Sequence, residues 1–194
     1  MEKAPSPEEF LKRAEELKYY VYKEGTHSYN LNIVGWRAKD IVEDKFNDII
    51  SVYWKENGIW KSKYWKATTL PGVPWLLNPV NKNGTAIMVP GQYPKAYVLS
   101  TYKGYKALKQ LAPIRVYRDV NRDSKVTIVP GNIEIGVFGI HIHKAGWWSK
   151  LVGTSSAGCQ VFQRADDFNE FISLCEQAAK FWGEYFTYTL IDEI

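Results

Sequence analysis

Three side chains set the chemistry open to this chain of 194 residues: His141, His143 and Cys159. The two histidines lie two apart in IEIGVFGIHIHK, whose alternating character predicts a strand, so both imidazoles project from one face. Sixteen residues beyond His143 stands Cys159, closing the small-residue turn Ser156-Ala157-Gly158-Cys159. Glycine permits backbone shapes there that other residues resist, so the turn can aim consecutive N–H groups at a developing oxyanion while an imidazole takes the thiol proton. Those parts suit acyl transfer: thiol attack on a carbonyl, an oxyanion held by backbone N–H groups, and a proton returned to the leaving amine.

Histidine precedes cysteine here, the reverse of papain-like enzymes, and the caspase signature is absent. The order, the spacing, the Ile-x-Ile-His strand and Ser-x-Gly-Cys together resemble the catalytic signature of the L,D-transpeptidase family, a β-rich fold that attacks peptidoglycan stem peptides with a cysteine. About 30 residues carry the match closely, and it extends weakly into the following Asp-Phe-x-Glu-Phe segment. The resemblance implies Cys159 as nucleophile and His143 as general base, with the imidazole oriented by the backbone carbonyl of Lys144. It implies oxyanion donors at the backbone N–H groups of Ala157, Gly158 and Cys159, with Ser156 shaping the loop or accepting a hydrogen bond. His141, Trp147, Trp148 and Gln160 are expected to contact substrate. The two tryptophans earn this because a ligand reaching the thiol passes their loop; a packed strand histidine is the equal alternative for His141. Many members carry His before Gly-Cys and Arg two residues after the cysteine, where this chain has Ala157 and Val161.

Other constellations compete. His-x-His with a thiolate is a legitimate zinc donor set, but spacing places no fourth ligand. Asp119, Asn121 and Asp123 echo the start of a calcium loop, yet Ser124, Lys125 and Pro130 stand at its sixth, seventh and twelfth positions, so a polar turn is expected. No Gly-x-Gly-x-x-Gly or Walker pattern occurs, and no cofactor is expected. Tyr93, Tyr97, Tyr102 and Tyr105 interleave with Lys95, Lys103 and Lys106, which suits either a ligand groove or a solvated strand edge.

The elements that must position these groups follow from composition and period. At 45% hydrophobic and 24% charged the chain can bury a core, and an aromatic content of 15%, with 8 Trp and 13 Tyr, favours β structure. A net charge of +4 suits an anionic surface such as cell envelope and falls short of a nucleic-acid stripe. Ser6-Pro7-Glu8-Glu9 forms a capping-box pattern before Phe10, Leu11, Ala14, Leu17 and Val21, predicting a helix over residues 5–23 that ends near Gly25. Residues 48–69 read as a hairpin about Asn57-Gly58, and residues 70–79, with three prolines, as a loop. Short strands are expected at 85–89, 95–99, 114–117 and 125–129, and a helix over 166–182 with Cys175 in its apolar stripe.

The expected fold is therefore α+β: a β-rich, L,D-transpeptidase-like sheet or barrel with N-terminal and C-terminal helices. Residues 1–80 form a helix and hairpin region packed on the same domain, and residues 81–194 the catalytic region. No run of about 18 apolar residues predicts a transmembrane segment, and the start MEKAPSPEEF does not read as a signal peptide. The expected function is a phage-type cell-wall hydrolase (lysin) acting on peptidoglycan, cytoplasmic in the producing cell and reaching the wall after release or with a phage particle. The alternatives are an L,D-transpeptidase forming or exchanging cross-links, and a non-enzymatic phage structural or wall-binding protein of the same fold.

Overall fold

The computed structural model describes residues 3–23 and 27–192. Helix α1 (Pro7–Glu16) begins as its sequence dictates: the Ser6 side chain accepts the Glu9 N–H at 3.3 Å, and Glu9 returns a bond to the Ser6 N–H at 2.6 Å. It stops earlier than expected. Lys18 adopts φ +57°, and the Tyr19 N–H turns back to the Ala14 carbonyl, so residues 19–23 run on without helix. The expected end near Gly25 lies outside the described residues.

Strands β1 (Asn32–Arg37), β2 (Asp48–Glu56) and β3 (Ile59–Thr68) follow, with Asn57 and Gly58 both at positive φ in the β2–β3 turn. The proline-rich segment contains a one-turn helix α2 (Val73–Leu77). Then come β4 (Thr85–Met88), β5 (Gly91–Tyr102), β6 (Tyr105–Gln110), β7 (Ile114–Asp119), β8 (Ile133–Gly136), β9 (Ile142–Lys144), β10 (Gln160–Phe162), α3 (Ala165–Trp182) and β11 (Tyr185–Asp192). The strand expected at 125–129 does not form. Its N–H groups go to side chains instead: Lys125 to Asp123, Val126 to Glu43 and Thr127 to Asp119.

Eight strands close a barrel in the order β1-β11-β5-β6-β9-β10-β3-β2, and β4-β7-β8 make a separate three-stranded sheet. Residues 1–80 supply three barrel strands and the remainder five, so both regions share one wall. Alternation divides the faces: Ile33, Ile50 and Val52 join the main core with Tyr97, Leu108 and Tyr188, while Val34, Trp36, Ile49 and Tyr53 face outward beneath Phe10 and Ala14 of α1. Packing on both sides leaves β1 buried along its whole length and β2 buried from Asp48 to Trp54. Helix α3 lays Phe168, Phe171, Cys175 and Ala178 against Phe162, Ile142 and Trp65, which closes the core next to the strands that carry the candidate chemistry. Among the described residues no helix is long and apolar enough to cross a membrane.

Candidate active site

The short parallel pair β9–β10 brings the candidate residues together. Gln160 lies opposite Ile142 and Val161 opposite His143, and the Gln160 N–H reaches the His141 carbonyl at 2.9 Å. Side chains at paired positions share a face. Ile142, Gln160 and Phe162 point into the core, so His141, His143, Cys159 and Val161 share the opposite face, where Cys159 and Val161 pack with Phe46 and Val152.

The histidines are held differently. His143 is buried, and its Nδ1 lies 2.7 Å from the Lys144 carbonyl oxygen, the acceptor the resemblance implies. A carbonyl cannot donate, so Nδ1 carries the proton and Nε2 keeps its lone pair. His141 is reversed: its Nδ1 accepts the Gln110 N–H at 3.0 Å, which leaves the proton on Nε2. Neutral His141 therefore has no free lone pair, and His143 alone can serve as base. Burial holds both imidazoles neutral, lowering the His141 pKa to about 4 and the His143 pKa below its ordinary value of 6.5. The Tyr102 ring packs on both, with centroids 4.9 Å from His141 and 5.3 Å from His143.

Cys159 is half-buried, with its thiol 3.6 Å from the Gly139 carbonyl. Burial pushes its pKa up to about 11, against the pull of a backbone hydrogen bond from His141 and the charge of Lys103. The thiol is thus protonated at rest and needs a base to become a nucleophile.

The loop before it is tightly built. Ser156, fully buried, accepts the Gly158 N–H at 3.1 Å and donates to the Cys159 carbonyl at 2.8 Å. The Gly158 N–H is thereby committed, which corrects its assignment as an oxyanion donor; among the described residues the N–H groups of Ala157 and Cys159 meet no acceptor and keep that capacity. Gly158 is required for another reason: φ is +122°, and a Cβ would stand 2.5 Å from the Ala86 carbonyl oxygen. Asp44 anchors the loop from outside, its carboxylate accepting the N–H groups of Gly153 (2.7 Å) and Val73 (3.2 Å), and the Gly72 N–H binds the Ser156 carbonyl.

A cavity of about 370 Å³ opens beside the thiol, lined by Cys159, Ala157, Gly139 and Phe138 with Trp75, Asn81, Thr85 and Arg118. Arg118 is buried, pairs with Glu134 and stacks on Phe138. Nothing in the sequence near the cysteine points to these walls, which arrive from α2, β4 and β7. Two expected contacts fall elsewhere. Gln160 is fully buried inside the barrel, where its side chain accepts from the Tyr188 hydroxyl (2.9 Å) and donates to the Gly158 carbonyl (3.2 Å), so it supports the loop and does not face substrate. Trp147 and Trp148 are 77% and 52% exposed and do not line the cavity; their loop is tied to the start of α3 through Arg164 and Ala165.

Among the described residues no three His, Cys, Asp or Glu side chains are grouped to hold a metal ion. Asp119 and Asp123 turn their carboxylates to backbone N–H groups of Asn121, Thr127 and Lys125, which makes the 119–127 segment a self-bonded polar turn. No protein-family model, curated protein or solved structure matches the chain.

Proposed function

We propose that the protein is a cysteine-dependent acyl-transfer enzyme of bacterial peptidoglycan, opening stem peptides in the manner of a phage-type lysin. The observation that carries this reading is the tautomer of His143. With Nδ1–H spent on the Lys144 carbonyl, its Nε2 lone pair belongs to the strand face that Cys159 shares. A neutral thiol and a neutral imidazole on one face describe general-base activation rather than a standing thiolate–imidazolium pair.

In the first step the Cys159 proton passes to His143 Nε2 as Sγ bonds to the peptide carbonyl carbon, and the N–H groups of Ala157 and Cys159 receive the oxyanion. Collapse breaks the C–N bond, His143 returns the proton to the leaving amine, and a thioester remains on Cys159. Water, deprotonated by His143, then attacks the thioester carbonyl, releasing the carboxylic acid and restoring the thiol. Replacing water by an amine in the second step gives a transpeptidase through the same intermediate.

The test is incubation of purified peptidoglycan with the protein and its Cys159→Ala variant, followed by mass spectrometry of the soluble fragments. New peptide ends that depend on Cys159 establish hydrolysis and identify the bond, and Cys159-dependent exchange products move the assignment to transfer. Identical, unchanged fragments from both folded proteins overturn the catalytic reading in favour of a wall-binding or structural role.

A further inference from the structure

Cys159 and Ala157 line the cavity of about 370 Å³, and His143 does not. The chemistry assigns a side to each half of a substrate. His143 returns its proton to the leaving amine, so the residue that supplies the amine lies toward His143. The carbonyl oxygen is received by the N–H groups of Ala157 and Cys159, so the acyl residue behind that carbonyl is left to the cavity.

Six apolar side chains make most of its wall: Trp75 from α2, Val80, Ala86 from β4, and Val137, Phe138 and Ile140 from the segment between β8 and β9. Its uncharged polar groups are turned to nearby backbone. The Thr85 hydroxyl donates to the Trp75 carbonyl, and the Asn81 side-chain oxygen accepts the Asn83 N–H at 2.9 Å. Among the described residues Arg118 is the one charged side chain in the wall, and its charge is met there. Its Nε donates to Glu134 at 2.7 Å and its Nη1 to the Gly84 carbonyl at 3.3 Å, and the guanidinium lies 4.9 Å from the Phe138 ring centroid. Glu134 is the ionised partner: hydrogen bonds from Asn83 and Arg118 hold its carboxyl below the ordinary carboxylate value. The two charges cancel. Lys103 and Lys109, the cations felt at Cys159 and the histidines, do not line the cavity.

A charged group entering this cavity exchanges water for apolar wall and meets no opposite charge, whereas an uncharged one loses little. We propose that the cavity is the acyl pocket and admits a residue that carries no free carboxylate or ammonium group, so that the stem peptide opens on the carbonyl of a neutral residue and not on that of an acidic or basic one. This rests on the Cys159–His143 reading and adds the class of residue whose carbonyl the thiol attacks.

The test digests purified peptidoglycan with the unaltered protein, Cys159→Ala and Val137→Asp, and identifies by tandem mass spectrometry each residue whose carbonyl is newly freed or newly joined. The expected result is that Cys159-dependent products at neutral residues outnumber those at acidic or basic ones by about tenfold or more. Val137 is 58% exposed at the cavity mouth, so an aspartate there leaves the core intact. Its carboxylate is expected to raise the share of products at basic residues about tenfold, the size of one charge-assisted hydrogen bond. Cys159-dependent products at charged residues in similar yield from the unaltered protein overturn the neutral pocket and leave the catalytic reading standing. An unchanged product pattern from Val137→Asp, with its fold intact by circular dichroism, overturns the assignment of that selection to this cavity. No Cys159-dependent product of either kind overturns both.

Discussion

His141, just before β9, and His143, within it, carry their protons on opposite ring nitrogens: Nδ1 of His141 accepts the Gln110 N–H, and Nδ1 of His143 donates to the Lys144 carbonyl. The sequence places the two imidazoles side by side and does not choose between them. Backbone groups choose, leaving His143 with the lone pair and His141 with an Nε2–H that can only donate. His143→Gln is accordingly expected to lower turnover by about 10²–10⁴-fold, the ordinary worth of a positioned base. His141→Leu is expected to retain measurable Cys159-dependent turnover while weakening the fold by about 1–3 kcal/mol through the unpaired Gln110 N–H. Kinetics with a denaturant titration of each variant separates the two roles.

Thiol chemistry should follow the burial of Cys159. With its pKa near 11, on the order of 10⁻⁴ of the thiol is ionised at pH 7, so alkylation is expected to be slow at neutrality and to rise steadily toward pH 10. Cys175, fully buried in α3 and shifted further upward, should label only on unfolding. A pH series of iodoacetamide labelling, resolved by peptide mapping, checks both. Fast labelling of Cys159 at pH 7 would mean a standing thiolate and contradict the general-base reading.

The histidines also set an acid limit. Their folded pKa values lie below the unfolded value of about 6.5, so the unfolded chain binds protons first as the pH falls. This contribution to stability is therefore whole above about pH 6.5 and is lost between there and about pH 4, where His141 itself titrates. Turnover should fall over the acid side of the same range as His143 gains a proton and ceases to be a base. Melting curves and rates at pH 7.5, 5.5 and 4.5 should show both declines, and in His141→Leu the loss of stability should be smaller.

The loop offers a sharper mutational contrast. Gly158→Ala must force a Cβ against the Ala86 carbonyl at a φ of +122°, and it is expected to cost a few kcal/mol and to abolish turnover. Ser156→Ala removes the acceptor of the Gly158 N–H and is expected to cost about 1–3 kcal/mol. Trp147→Ala touches neither cavity nor loop core and should change turnover of soluble peptides by less than about twofold. Parallel measurements of melting temperature and soluble-peptide turnover test this order.

Local signals were legible in the sequence where one segment settles its own conformation. The Ser6–Glu9 capping box, the Asn57-Gly58 turn and the Phe168–Ala178 stripe each appear as read. The Lys144 carbonyl on His143 was expected from the family resemblance alone, and the contact is present at 2.7 Å. What escaped depends on distant partners. Strand β11 gains its place from a parallel pairing with β1 across about 150 residues, and residues 125–129 lose theirs to Asp119, Asp123 and Glu43. Gln160 was readable in principle: strict alternation puts it inside when Cys159 and Val161 face out. Asp44, Trp75 and Arg118 reach the site only through the closed barrel and the second sheet, and no spacing near Cys159 announces them.

The thioester on Cys159 is the claim on which the rest depends, and intact-protein mass spectrometry reads it directly. The protein, Cys159→Ala and His143→Gln are mixed with soluble peptidoglycan fragments, quenched in acid within the first turnover and weighed. The expected result is a mass gain equal to the acyl portion of a stem peptide on the unaltered protein, mapped to Cys159 and discharged by hydroxylamine, with no such gain in either variant. An unaltered protein that releases new peptide ends without ever carrying the adduct, or whose Cys159→Ala variant releases them at the same rate, would contradict it.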